Sequence, residues 1–416
     1  MKNMFQTFKL YALAILVILN ARLFNYMARF GLVLGANTLT NIIPTLYEAL
    51  DIVSRELVGF IPAVSRDSSG ARAALNETIN IPVVPAVAAA DITPGVTAPN
   101  TGDQVIGNQT MTIQKSRMVP VRWSGEETRG VMNSGLFPSV NAQRFQQAMR
   151  TLVNEVEADL GALFAQASRA YGSAGTIPFG TAGDLSDNAQ VLKILQDNGA
   201  PQIDLHAVLG TSSIANIRGK QSVLYKVNES GSSDLLRRGI IGDLQGAMVH
   251  TSAAVQRPAV GTGASYTTTA AGFAVGTTSI PIITGTGTVL AGDVVTFAGD
   301  TNKYVVSTGV AAPGTIVLAE PGLRQAIPAS ATAMTIVAIS AKDMYFDRSA
   351  IALVTRAPAM PEGGDQADDV IEIVDPLSGL AFQIAMYRQY RQVHYEVGLA
   401  WGVKAVTPRH IALLIG

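Results

Sequence analysis

Four histidines, His206, His250, His394 and His410, are the chain's only imidazoles, and there is no cysteine. Imidazoles suit zinc ligation or general-base work, but no two of these stand at a metal-ligand spacing. Each reads as a structural or surface side chain. Ser252 follows His250 by two residues, yet no Gly-x-Ser-x-Gly elbow surrounds it. Gly261-Thr262-Gly263 and Gly285-Thr286-Gly287 have the glycine content of a phosphate cradle. They lack its Gly-Lys-Ser/Thr ending and lead into strands, so they read as turns. Glu362, Asp365, Asp368 and Asp369 are calcium-type ligands without the alternating pattern and distal Glu of a helix–loop–helix site, and read as a solvated loop. Tyr387 to Tyr395 (YRQYRQVHY) interleaves aromatics with bases, as a stacking platform for single strands would. With a formal net charge of −1 and strand patterning on both sides, an intersubunit or core strand is the better reading. No pair of acids stands out as a glycosidase pair. The chain is read as no enzyme: no catalytic, metal-binding or cofactor-binding residue is assigned, and no cofactor.

The elements that would position any such residues tell more. The 416 residues leave room for two or three domains. Absent cysteine removes disulfides, thiolate zinc sites and cysteine nucleophiles together. The longest helical pattern runs from Ser139 to Tyr171. Phe145, Met149, Leu152, Val156, Leu160, Leu163 and Ala167 recur at steps of three and four, opposite Gln146, Arg150, Asn154, Glu157 and Gln166. Such a rod would be about 50 Å long and needs a long partner surface.

Upstream, Lys2 and Lys9 precede an apolar run from Leu10 to Leu19, which fits a signal peptide or an upstream start with the natural one near Met27. Ten apolar residues are too few to span a bilayer. An amphipathic arm follows through Ile43, Leu46, Leu50, Val53 and Leu57, then a polar linker over 67–75. Strands are expected at Ile79 to Val84 and Thr110 to Trp123, joined by a long Ala/Pro/Gly/Thr connector that cannot bury itself. Beyond the rod, Asp187 to Asn198 reads as a helix, Leu205 to Leu209 as a strand leading to a helical turn, and Leu235 to Arg238 as a short helix. Gly242 to Ser252 reads as a turn into a strand.

Residues 257–341 hold only six charges beside eleven Gly and fifteen Thr, with short β-prone runs, and read as a small barrel or sandwich. Strands resume at Lys342 to Phe346, Ala350 to Val354, Val370 to Val374, Leu380 to Tyr387, Arg391 to Val403 and His410 to Ile415.

Taken in order, these elements resemble the major capsid (coat) protein fold of tailed bacteriophages. The sharpest local likeness is Gly242-Asp243-Leu244-Gln245-Gly246-Ala247-Met248-Val249-His250-Thr251-Ser252, similar to the family's Gly-x-Leu-x-Gly-x-Pro-Val-x-x-Ser segment, with Ala247-Met248 in place of x-Pro. Asp343 to Val354 resembles the axial-domain strand that follows. Ala291 to Ala298-Gly299 and the closing Ala400-Trp401-Gly402-Val403 with Thr407-Pro408 resemble short-tailed-phage coats that carry a telokin-like, immunoglobulin-like insertion.

The resemblance implies an α+β fold with an N-terminal arm, an extended hairpin loop, a long spine helix, peripheral and axial domains and an inserted small all-β domain. The expected division is an extension at 1–34, the arm at 35–75, the hairpin loop and peripheral strands at 76–124, and the spine at 125–184. The axial domain's first part follows at 185–256, the inserted β-barrel at 257–341, and the closing axial and peripheral strands at 342–416. The implied function is a structural subunit that assembles into pentamers and hexamers of an icosahedral head around double-stranded DNA. The implied partners are further copies, a scaffolding protein, a portal and non-specifically contacted DNA, with no membrane. The implied place is the virion, assembled in the bacterial cytoplasm. A rod, unburied arms and no chemistry point the same way. The alternative of another class is a secreted or surface β-rich adhesin with 257–341 as its binding module. A hydrolase with an added β module ranks third.

Overall fold

The computed structural model describes residues 58–83, 89, 91, 92, 94, 107–133, 137–221, 241–375 and 379–416. All lie within one compact unit, Pro44–Gly416. The expected arm helix, the connector around 86–106, the helix at Leu235 to Arg238 and the extension 1–34 fall outside these residues, apart from a few positions in the connector.

The architecture is α+β and mostly sheet. A helical turn α1 (Phe60–Ala63) leads into β1 (Ser65–Ala73), β2 (Thr78–Val83), β3 (Gly107–Thr112) and β4 (Lys115–Ser124). Helices α2 (Gly125–Asn133) and α3 (Phe137–Gly161) follow, then β5 (Arg169–Gly172), α4 (Ser186–Asp197), β6 (Leu205–Leu209) and α5 (Thr211–Lys220). After β7 (Asp243–Leu244) and β8 (Ala247–Thr251) come six short strands: β9 (Tyr266–Thr268), β10 (Ser279–Ile283), β11 (Val294–Phe297), β12 (Lys303–Thr308), β13 (Gly314–Leu318) and β14 (Ala333–Ile336). The chain closes with β15 (Lys342–Asp347), β16 (Ile351–Pro358), β17 (Asp369–Val374), β18 (Ala381–Gln389), β19 (Gln392–Ala405) and β20 (Ile411–Ile415).

One sheet runs β1-β16-β19-β18-β17, with β4 laid along the other side of β19 from Gln392↔Ser124 to Trp401↔Lys115. Helix α3 crosses β4 and β19 with Phe145, Met149, Leu152, Val156 and Leu160 buried. Phe145 meets Tyr395 edge-on at 5.4 Å, and Asp159 accepts from the Trp401 indole at 2.9 Å. Strands β2 and β3 form a separate ribbon whose base packs Ile79, Met111 and Ile113 on Ala352, Val354 and Ala400.

The second sheet carries β5-β20-β15-β6-β8-β7 and joins β9–β14 through the β12–β5 pairing Lys303↔Ala170. Among β9–β14, β11 pairs with both β14 and β12, so the order β11-β14-β9-β10-β13-β12 closes on itself. Its inside holds Tyr266, Ile280, Val295, Phe297, Tyr304, Ile316 and Met334. Closure leaves no edge among these six strands, which a segment so poor in charge needs to stay soluble.

Three expectations change. The rod stops at Gly161, where a Cβ would lie 2.6 Å from the Ala254 carbonyl oxygen. A 3₁₀ turn, Ala162–Gln166, takes over, and the next residues become β5. Leu163 and Ala167 stay buried, so the apolar spacing persists after the helix has ended. Pairing of Arg169–Gly172 with β20 and β12 outweighs helical periodicity. The polar stretch 67–75 is no linker, because most of it is β1, parallel to β16 from Ser65↔Ala352 to Ala73↔Pro358. The Arg356 guanidinium to Asp67 at 2.7 Å and Arg72 to the Pro358 carbonyl at 3.0 Å fix it there. Finally, Thr110 to Trp123 is two strands, broken at Ile113-Gln114, because β3 pairs with β2 while β4 pairs with β19.

Candidate functional site

The residues singled out by type in the sequence separate into several places. Gly261 donates its amide to the Asp293 carboxylate at 3.1 Å, so its loop is closed by its own barrel. Asp365 accepts from the Tyr387 hydroxyl at 2.7 Å, and Asp368 accepts from Arg388 at 2.9 Å. The acidic loop is thus engaged with the neighbouring hairpin. His394 accepts from Arg122 Nε at 3.1 Å. Among the described residues, no three His, Asp or Glu side chains come together in a way that could hold a metal ion.

Two histidines set far apart in sequence do meet. Strands β6 and β8 run parallel with Val208 opposite His250, so His206 and His250 are diagonal neighbours on one face. His206 Nδ1 and His250 Nε2 are 2.9 Å apart, and His206 Nε2 is 2.9 Å from Asp204 Oδ1. The carboxylate takes the Nε2 proton of His206, which leaves Nδ1 as the acceptor for the Nε2 proton of His250. Burial lowers both imidazole pKa values, with His250 pushed down to about 4, helped by His206 and Arg348. The pair is therefore neutral at pH 7 and shares one proton across its contact.

On the same face, Ser252 is fully buried and turned away from His250. Its hydroxyl donates to Glu157 Oε1 at 2.8 Å. Glu157 is 3% exposed, where the helical pattern had placed it toward water. Its Oε1 also accepts from the amides of Gly59 at 2.5 Å and Phe60 at 2.7 Å, and its Oε2 from Ile61 at 3.1 Å. Burial raises the pKa of this carboxyl, and the four donors pull it back. A signal was available: Val153 and Leu160, one turn to either side, belong to the buried stripe. The Glu157 carboxylate thus ties the amides of residues 59–61 and the Ser252 hydroxyl together, and the arrangement is a clamp that pins the segment entering α1 against α3.

Another buried carboxylate, Asp343 on β15, accepts from the Gly210 amide at 2.7 Å and the Ser213 hydroxyl at 2.5 Å. Burial pushes its pKa up to about 6. It caps the start of α5 from outside the helix, a role that residue spacing does not reveal. Nearby, burial lowers Lys342 to about 8, against the favourable charge of Asp293. A mixed groove of about 850 Å³ lies between α2 and the β18–β19 hairpin, lined by Trp123, Met132 and Val393. Glu126, Arg129, Arg388 and Arg391 also line it. No described helix is long and apolar enough to cross a membrane.

No protein-family model matches the chain, and no curated protein matches it. Solved structures similar to it include phage capsids, the capsid of a GTA particle and a virus-like particle from Pyrococcus furiosus. The capsid of cyanophage P-SCSP1u is similar with 9% identity over 85% of this chain and 86% of that one, at a TM-score of 0.46. The mature capsid of bacteriophage PhiM1 is similar with 12% identity over 86% of each chain, at 0.41. The capsid of Myoviridae phage XM1 is similar with 9% identity over 87% of this chain and 92% of that one, at 0.42.

Proposed function

We propose that the chain is a structural protein, a shell subunit of the tailed-phage coat type that associates into pentamers and hexamers around double-stranded DNA. The observation that carries this is the β2–β3 ribbon, whose strands pair, among the described residues, only with each other. They bracket a connector of residues 84–106. A two-stranded ribbon of that length gains little by standing in water and gains area by lying on a neighbour. Heterologous contacts of this kind, repeated about symmetry axes, close into shells.

In this reading α3 is the spine, β6, β8, β15 and β20 belong to the axial part, and β16–β19 to the peripheral part. Residues 257–341 form an inserted telokin-like domain on the outer surface. A scaffolding protein and a portal assist assembly in the bacterial cytoplasm, and packaged DNA is met without sequence preference. The buried clamps fit such a part, since they hold segments and leave no reacting atom exposed.

The test is sedimentation with negative-stain microscopy of the chain begun at Met27. Rings, sheets or closed shells are expected. A chain that stays monomeric at high concentration beside a matching scaffolding protein would overturn the reading.

A further inference from the structure

We propose that Tyr390, at the tip of the β18–β19 hairpin, is a knob that seats in the groove between α2 and this hairpin on a second copy of the chain. The inference rests on the self-association proposed above and names one contact of it. Strands β18 and β19 pair up to Gln389↔Gln392, so the turn is the two residues Tyr390 and Arg391. Two-residue hairpin turns favour Asn-Gly because left-handed backbone is needed there. Here Arg391 adopts φ 58° with a full side chain, and Tyr390 stands 89% exposed. A strained turn that lifts a large aromatic into water marks a place where that aromatic is used.

The groove lies beside the tip, yet Tyr390 is not among the residues that line it, so the chain does not fill its own hole. Its chemistry suits a phenol ring. Met132, 57% exposed, offers a thioether, and Arg129 offers a guanidinium without a hydrogen-bond or ion-pair partner among the described residues. The same attraction already operates within the chain, where the Arg391 guanidinium carbon is 5.7 Å from the centre of the Tyr390 ring. Because knob and groove are neighbours on one surface, a rotation that seats one tip in the next groove uses each copy once in each role. The contact can then repeat around a ring. Tyrosine, arginine and tryptophan are also the residue types that dominate binding energy at interfaces.

The full chain with benzoylphenylalanine at position 390 is mixed with isotopically labelled wild-type chain, sedimented, and irradiated. Cross-links from position 390 to residues 123–133 or 388–393 of the labelled copy are expected. Cross-links elsewhere, or only within one chain, overturn the contact while self-association stands. A mixture that shows no association before irradiation overturns both. In parallel, Tyr390→Ala is expected to weaken association about thirtyfold, with Tyr390→Phe retaining most of it. The control Ile203→Ala, at a 96% exposed side chain away from the groove, is expected to change nothing. Wild-type association by Tyr390→Ala overturns the proposal and leaves the groove to an acidic partner.

Discussion

Glu157 concentrates more hydrogen bonds than any other side chain described above, and truncating it exposes the asymmetry between losing and never having a partner. Glu157→Ala strands three backbone amides and the Ser252 hydroxyl in a buried site. At about 1 kcal/mol or more for each stranded donor, a loss of about 3–5 kcal/mol is expected in urea unfolding. Glu157→Gln keeps an oxygen for Gly59, Phe60 and Ser252, sheds a desolvated charge and strands only the Ile61 amide, so it should cost about 1–2 kcal/mol, less than Glu157→Ala. Equal losses from the two variants would refute the clamp. The histidine pair predicts a pH effect of definite sign. Its folded pKa values lie below the ordinary 6.5, with His250 near 4, so the unfolded chain binds protons first as pH falls. The stability tied to the neutral pair is complete above pH 6.5 and is lost as pH falls toward 4. His250→Gln keeps an N–H toward His206 and cannot charge. Its stability should therefore fall less than wild type between pH 6.5 and 4, and parallel acid curves would rule this out. Asp343 runs the other way. Its raised value of about 6 means that its contribution is present below the ordinary carboxylate range and is lost as pH rises through 6.

Where one element hands over to the next, backbone space decides. Gly172 ends β5 with φ 104°, and a Cβ there would sit 2.2 Å from the Ile415 carbonyl oxygen. Gly175, three residues on, has φ 81° and nothing within 4 Å. Gly175→Ala should therefore cost about 1 kcal/mol through φ alone. Gly172→Ala must also push β5 off β20 and should cost several times as much. Thermal unfolding of the two variants tests this, and equal shifts would show that the β5–β20 contact can give way. Gly161, where α3 ends, follows the same logic, since the Ala254 carbonyl occupies the space a side chain would need. That carbonyl restricts position 161 to glycine, and the pairing of Arg169–Gly172 with β20 and β12 takes the chain out of the helix.

At the scale of the molecule, two sheets share one chain, and the β2–β3 ribbon packs on the first without pairing with a strand of either. Removing residues 86–108 is expected to leave a soluble subunit that assembles poorly, because the two sheets of the body are built from other residues. Normal closed shells from that variant, seen by negative stain, would sink the role given to the ribbon. Residues 257–341 are a different case. They enclose a core of their own, yet β12 pairs with β5, so deleting them uncovers an edge of the main sheet. Lower yield of folded subunit is expected, and unchanged folding would show that β5 is held by β20 alone.

The sequence by itself determined much of the alternation of elements. Residues such as Leu205–Leu209, Val294–Phe297 and Ile411–Ile415 carry local β preference and tight apolar patterning, and α4 lies within a residue of where its periodicity put it. Local preference is a property of adjacent residues, so adjacent residues reveal it. What only the tertiary structure decided were the contacts that tie remote residues together. Ser65–Ala73 has no strand preference and becomes a strand because β16 lies beside it. His206 and His250 become a pair because β6 and β8 align in parallel register, and Glu157 turns inward because three amides from residues 59–61 arrive to meet it. Each depends on a partner tens of residues away or more, and no window along the chain contains both halves.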